Sequence, residues 1–315
     1  MNEHIRKLNL SQDLPQVADL IELCFPIHKD QDGKAYVREM RKAARDMRMV
    51  GWLSSLAVAT EMRSSGFVWE EGGKIVGNLS LIPLKKDGRR IHLIANVAVH
   101  PDQRRRGIAR ALTDRALVYL VRANEPNVWL QVRDDNQAAI DLYHSSGFVE
   151  QTARTTWRIR PFELEPPAKS TDINIRVRHR KMEDWGKQRR LLFEAYPPEI
   201  RWNLPVNFRR FEPGIIQMIS NLMDNEILKH WVYRHEDNLG YITWQKTTTF
   251  ADNVWLAFPE ESERLLLPPA LAAVCKRLSR SHPISVDYPK GRAESVFSEL
   301  GFEHFRTLIW MKRQL

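Results

Sequence analysis

Val132 and Gly147 lie fifteen residues apart, and Val286 and Gly301 repeat that interval 154 residues later, each glycine followed by phenylalanine. The opening parts of the two stretches echo as well: Ile5 precedes Pro26 by 21 residues, and Ile175 precedes Pro197 by 22. Each copy closes on an arginine-rich alternating run, Thr155–Arg160 and Thr307–Arg313. Apolar and glycine positions kept at one spacing over half a chain argue for one fold present twice. The expected partition is a first domain over 1–162, a linker over 163–172 around Pro166 and Pro167, and a second domain over 173–315. A length of 315 residues suits two domains.

Within the first copy, Leu14, Val17, Leu20 and Ile21 give residues 14–25 helical spacing, and 35–49 reads as a second, basic helix. Phe67–Glu70 and Lys74–Leu84, joined by Gly72 and Gly73, read as a hairpin. The run over 85–90 is a further turn, leading into a strand over 91–99. Apolar residues at 108, 112, 116 and 120 make 106–121 an amphipathic helix. A strand over 128–132, a helix over 136–145 and a strand around 153–160 complete the copy. The pattern predicts an α/β fold in two tandem domains, each a mixed, mostly antiparallel sheet flanked by helices.

Composition removes several classes of function. Hydrophobic residues at 43% and charged residues at 28% can build cores and do not describe a disordered chain. Cys24 and Cys275 are too few for a disulfide framework or a cysteine-rich zinc site, so no metal is expected and a reduced, cytoplasmic setting fits. No signal peptide and no apolar run of membrane-spanning length is present, so no membrane association is expected. The net charge of +9 invites an anionic partner. The excess is spread along the chain rather than gathered in a tail or arm, which argues against nucleic acid.

The strongest chemical signal is Val97-Ala98-Val99-His100-Pro101-Asp102-Gln103-Arg104-Arg105-Arg106-Gly107-Ile108-Ala109-Arg110. A strand runs through a short turn straight into a helix. Free amides at a helix start, with the dipole behind them, form an anion site. Gly107 and Ala109 let phosphate oxygens approach the backbone, and three successive arginines add positive charge. There is no Gly-Lys-Ser/Thr of a P-loop and no dinucleotide Gly-x-Gly-x-x-Gly. An ordinary strand–helix turn with a basic rim is the bland alternative.

Together with Asn136, Ala138, Ala139, Leu142, Tyr143, Gly147 and Phe148 downstream, this stretch resembles the GNAT superfamily of acyl-CoA N-acyltransferases. The resemblance covers the first half of the chain in the family's element order. It implies acetyl-CoA as co-substrate. Backbone groups of Val97, Ala98 and Val99 would meet the pantetheine arm in a splay between the strands over 91–99 and 128–132. Amides of Arg104, Arg105, Arg106, Gly107, Ile108, Ala109 and Arg110 would hold the pyrophosphate. Asn136 would hydrogen-bond the co-substrate, and Tyr143 would sit near its sulfur. Amine attack on a thioester needs an oxyanion donor, here a strand N–H near Val97, and an acid for the leaving thiolate, here Tyr143. Tyr143 as a plain core aromatic is the competing reading.

The general base is harder to place, because Ile91–Asn96 holds no carboxylate. His92 could accept a proton directly or through water. It could equally be a histidine at a hairpin end. Asn96 could orient a water, and a base from the second copy or a water chain stays open. At the helix over 35–49, which often covers the acceptor in this family, Arg38, Arg41 and Arg45 could meet an acidic acceptor. Cys24 and the tryptophans Trp52, Trp69, Trp129 and Trp157 read as packing residues.

The second copy departs from the pattern. Lys290 and Phe297 stand where the first copy has Asn136 and Tyr143, and Glu260, Glu261 and Glu263 follow Pro259 without a glycine. Like charge there would repel a diphosphate, so this copy is expected to keep the fold and lack the site. The leading function is an N-acetyltransferase moving acetyl from acetyl-CoA to a primary amine of a small molecule or peptide, in a monomer or homodimer. The competing function is a non-catalytic acyl-CoA sensor.

Overall fold

The computed structural model describes residues 3–27, 31–49, 65–86, 89–164, 175–278 and 282–315. Trp52, the turn at Asp87-Gly88 and most of the expected linker lie outside the described residues. The chain divides into two compact units: Met1–Gln151 with Trp310–Leu315, and Thr152–Ile309.

Unit 1 contains β1 (Ile5–Lys7), α1 (Leu10–Cys24), α2 (Gln31–Met49), β2 (Ser65–Glu71), β3 (Lys74–Lys86), β4 (Arg89–Val99), α3 (Ile108–Arg122), β5 (Asn127–Arg133), α4 (Gln137–Ser145) and the start of β6 (Val149–Ile159). Its strands run in the order β1-β2-β3-β4-β5. All neighbours are antiparallel except β4 and β5, which are parallel. That parallel pair is the consequence of a helical crossover, α3, between its strands.

Unit 2 holds the rest of β6, then β7 (Arg176–His179), α5 (Trp185–Ala195), α6 (Pro198–Arg201), α7 (Ile215–Met223), β8 (Leu228–His235), β9 (Asn238–Gln245), β10 (Asp252–Ala257), α8 (Glu263–Arg277), β11 (Ile284–Pro289), α9 (Glu294–Glu299) and β12 (Glu303–Gln314) as far as Ile309. The order β7-β8-β9-β10-β11 repeats that of unit 1, and again only the pair spanned by a long helix, β10 and β11, is parallel. The two copies read from the spacing are therefore two copies of one mixed α/β architecture.

The duplication extends to side-chain detail. At the start of α1, Asp13 is buried, takes two hydrogen bonds from Arg6 at 2.6 and 2.8 Å, and accepts from the Asn9 amide at 2.7 Å. In unit 2, Asp184 takes two from Arg178 at 2.6 and 2.7 Å and accepts from the Lys181 amide at 2.7 Å. In each copy a first-strand arginine and a first-turn carboxylate tie the helix to the sheet edge. The arrangement is bidentate and backbone-supported, which makes it stronger than an exposed ion pair.

Two cores follow from the patterning. Val17, Ala18, Leu20 and Ile21 of α1 close over Val68, Ile75 and Ala98 on one face of the first sheet. On the opposite face α3 packs at Gly77, where a Cβ would come within 2.7 Å of Ile108 and 3.2 Å of Leu112. Only glycine lets the first turn of α3 lie this close to the sheet. That contact fixes the start of α3 beside the end of β4.

Candidate active site

The parallel pairing of β4 with β5 is short. His92, Leu93 and Ile94 pair with Val128, Trp129 and Leu130, and there the pairing stops, although β4 continues to Val99 and β5 to Arg133. Residues 91–94 are buried, whereas Ala95, Asn96, Val97 and Val99 are half-buried. Beyond Ile94 the strands have parted, leaving backbone groups of β4 with no partner from β5.

A β-bulge lies at the parting. Ser80 pairs with Ala95 and Asn78 with Ala98, so Asn96 and Val97 together oppose the single residue Leu79. Asn96 has φ of 53°, in the left-handed region that asparagine tolerates better than most residues. A bulge leaves one residue outside the ladder and re-aims its backbone groups. Asn78, fully buried on β3, holds the bulge: its Nδ2 donates to the Asn96 carbonyl at 2.8 Å and to Ser80 Oγ at 3.3 Å. Asn96 Nδ2 in turn donates to the Tyr36 hydroxyl of α2 at 2.7 Å. Nothing in the sequence singled out Asn78 or Tyr36, since the bulge that gives them meaning exists only in the register.

From Val99 the chain passes through a single 3-10 turn, Pro101–Gln103, into α3. The Arg104 amide donates to the Pro101 carbonyl at 3.3 Å, so it belongs to the turn. Arg105 has φ of 65°, and Gly107, the residue before α3, has φ of 78°. The first bond of the helix runs from the Ala111 amide to the Gly107 carbonyl, so the amides of Ile108, Ala109 and Arg110 lie ahead of it. A Cβ at Gly107 would meet nothing within 4 Å. The spot is open.

The three arginines do different things. Arg104 Nε donates to the Val99 carbonyl at 3.3 Å, which also receives the Cys24 thiol at 3.3 Å. Burial pushes that thiol up, so it stays protonated. Arg105 is exposed. Arg106 is turned to Glu71 in a two-point pair at 3.0 and 3.1 Å, which holds the Glu71 carboxyl below its ordinary range. Arg110 donates to Ser145 Oγ, linking the first turn of α3 to the last turn of α4.

Asn136 caps α4, its Oδ1 accepting from the Ala139 amide at 3.2 Å. Tyr143, on the inner side of that helix, is buried with its ring edge-on to Phe148 at 5.9 Å. Burial pushes its phenol well above the ordinary value of 10. His92 is placed elsewhere. It sits in the paired part of β4, with Nδ1 3.6 Å from Glu125 Oε2, and Arg90 also pairs with Glu125 at 2.6 Å. Burial, and then Arg90, lower its pKa against the pull of Glu125. At the strand rise, five residues put it about 15 Å from Val97. Asn96 and Val97 thus lie at the bulge, in the part of β4 that β5 has left, and His92 lies in the paired part.

In unit 2 the corresponding places are filled. The β10–β11 pairing ends after Asn253 and Ser285, and the Leu256 amide then donates to the Tyr196 hydroxyl at 3.3 Å. Tyr196 is fully buried, with the Arg154 guanidinium 4.7 Å above its ring. Phe297 is stacked on Trp157 at 5.2 Å. At the start of α8, Glu263 is turned inward, accepting from the Tyr288 hydroxyl at 2.6 Å and from Arg292, and burial raises its carboxyl. Only Glu260 and Glu261 of the three carboxylates stay exposed there. The turn therefore presents two carboxylates to solvent where the sequence suggested three.

Among the described residues no helix is long and apolar enough to cross a membrane, and no group of three or more His, Cys, Asp or Glu is placed to hold a metal ion.

Residues 15–148 match the acetyltransferase (GNAT) family. Over 62 residues the chain is 44% identical to the ribosomal protein bS18-alanine N-acetyltransferase of Escherichia coli (strain K12), covering 20% of this chain and 42% of that relative. The match therefore spans less than half the length of that curated relative. Among solved structures, a GCN5-related N-acetyltransferase from Sphaerobacter thermophilus aligns over 100% of this chain and 96% of its own, at 15% identity and a TM-score of 0.59. A tandem GNAT protein from the clavulanic acid biosynthesis pathway aligns over 98% of each chain, at 18% identity and a TM-score of 0.50. These two are likenesses of fold.

Proposed function

We propose, on the premise that residues 15–148 match the acetyltransferase (GNAT) family, that the protein is a cytoplasmic N-acetyltransferase moving acetyl from acetyl-CoA to a primary amine. The observation that carries this reading is the parting of β4 from β5 at Ile94, followed by the bulge and the open start of α3. One slot offers unpaired strand amides at one end and helix amides at the other.

The pantetheine arm would lie along Val97, Ala98 and Val99, and the diphosphate at the amides from Arg105 to Arg110, with Arg104 and Arg105 lending charge. The Nδ2 of Asn136 would remain for the co-substrate, since its Oδ1 caps α4. The acceptor amine attacks the thioester carbonyl carbon, and the developing oxyanion takes a hydrogen bond from the Val97 amide. Collapse breaks the carbon–sulfur bond, and Tyr143 protonates the departing thiolate. The amine's surplus proton leaves through water oriented at Asn96; His92 would receive it only at the far end of a water chain.

The acceptor would enter beside α2, where Ala35, Arg38, Glu39, Arg41, Lys42 and Arg45 line a cavity of about 370 Å³. Arg41 is already paired with Asp19 and Glu22 at 2.7 and 2.6 Å. Arg38, Lys42 and Arg45 are therefore the remaining cations of that lining that an acidic group on the acceptor would meet. A second acyl-CoA site is not expected, because Tyr196 and Glu263 occupy its place.

Calorimetric titration with acetyl-CoA should give one site per chain, and an amine library should elicit thiol release. Two equivalent sites would contradict the single-site reading, and binding without thiol release from any amine would make the protein a sensor. Asn78→Ala supplies a sharper check on the bulge. It should lower kcat about tenfold and leave the affinity for acetyl-CoA within threefold, because the bulge carbonyl loses its clamp while the helix start is untouched. Equal loss in both would place Asn78 in general folding instead.

A further inference from the structure

Helix α7 faces the wrong way for a helix packed on its own domain. Ile215, Met218, Ile219, Leu222 and Met223 recur at the spacing of an amphipathic stripe, and this stripe, with Ile216, points into solvent. Exposure of the six runs from 50% at Ile219 to 87% at Ile216. The polar residues Gln217, Ser220 and Asn221 are the half-buried ones. Asn221 Nδ2 donates to the Arg210 carbonyl at 3.0 Å and Gln217 Nε2 to Asn221 Oδ1 at 3.2 Å. Arg210 pairs with Asp224 and Glu226 just beyond the helix at 2.7 and 2.8 Å. The polar side is thus pinned inward and the apolar side held outward.

The six side chains expose roughly 800 Å² together, more than the largest apolar patch of a typical monomer and equal to one partner's share of a standard interface. None of the nine residues is charged. A surface of this kind is self-complementary, since a two-fold axis through it sets apolar stripe on apolar stripe. With the two helices antiparallel, exposed Arg209 and Glu212 before one helix lie toward exposed Asp224 after the other, so charges of both signs ring the apolar stripe. A lipid surface fits less well. Its helices carry Lys or Arg on the polar face, whereas this face is Gln, Ser and Asn and the chain leaves it through Asp224 and Glu226.

We propose that α7 is the two-fold contact of a homodimer of this chain. Light scattering on the full chain at 1–50 µM should give twice the 36.9 kDa of one copy at the upper concentration. The double variant Ile216→Glu, Leu222→Glu should halve that mass and leave the circular dichroism spectrum and acetyl-CoA affinity unchanged, because both residues are exposed and lie outside the co-substrate slot. Ile219→Cys, at the midpoint of the helix and so beside the two-fold axis, should yield a disulfide-linked pair of chains under mild oxidation. A wild-type monomer at 50 µM would overturn the proposal. So would a dimer that survives the double variant, or flotation of the wild type with phosphatidylglycerol vesicles while it remains monomeric.

Discussion

Gly107→Glu should weaken acetyl-CoA binding more than a hundredfold, while Gly107→Asn should keep it within a few-fold. The contrast separates charge from backbone. Gly107 has φ of 78° and open space around it, so steric conflict is not at issue. Asparagine tolerates this left-handed conformation, and glutamate pays a strain of about 1 kcal/mol. A carboxylate about 5 Å from a diphosphate adds about 3 kcal/mol of repulsion at an effective dielectric near 20, which is the hundredfold. Calorimetry on both variants, with circular dichroism to confirm folding, decides the matter. Equal weakening by both would mean that backbone shape rules, and no effect of glutamate would mean that the diphosphate lies elsewhere.

Tyr143→Phe should lower kcat by about a hundredfold or more, the usual contribution of a positioned acid, and leave the affinity for acetyl-CoA within twofold. The ring is buried against Phe148, so loss of one oxygen preserves the packing. Because burial holds the phenol above its ordinary range, it stays protonated at pH 9. The wild-type rate should therefore show no alkaline decline owed to this group below that pH. A decline between pH 8 and 9 that vanishes in the variant would contradict this. Weaker binding at unchanged kcat would reduce the hydroxyl to a binding contact.

Much of the fold was legible because it rests on periodicity. The strand ends near Val99 and Val132 and the helices over 106–121 and 136–145 follow from spacing and residue type to within two residues, as does the doubling of the whole pattern. The slot itself was legible only by resemblance, for nothing in the composition of β4 announces where β5 leaves it. The bulge at Asn96 depends on register against β3, and register is a property of two strands. The same holds for Asn78, which carries no signal until its carbonyl partner is known. The pairing of Arg106 with Glu71 is a contact across 35 residues, so three adjacent arginines looked alike in sequence and differ in space. Helix α7 carries an apolar stripe, but a stripe does not say which way it faces.

Unit 1 is not one continuous stretch of polypeptide. Its distal piece is tied in at Arg313, which donates to the Ser146 carbonyl, at Leu315, whose amide donates to Pro126 at 3.3 Å, and at Lys312, 5.8 Å over the Trp129 ring. Ser146, Pro126 and Trp129 flank β5 and α4. During translation those residues wait until all of 152–309 has emerged before their last neighbours arrive. Completion of unit 1 is thus timed by the stretch between its two pieces, and a gene fragment stopping near residue 162 would encode unit 1 without Trp310–Leu315.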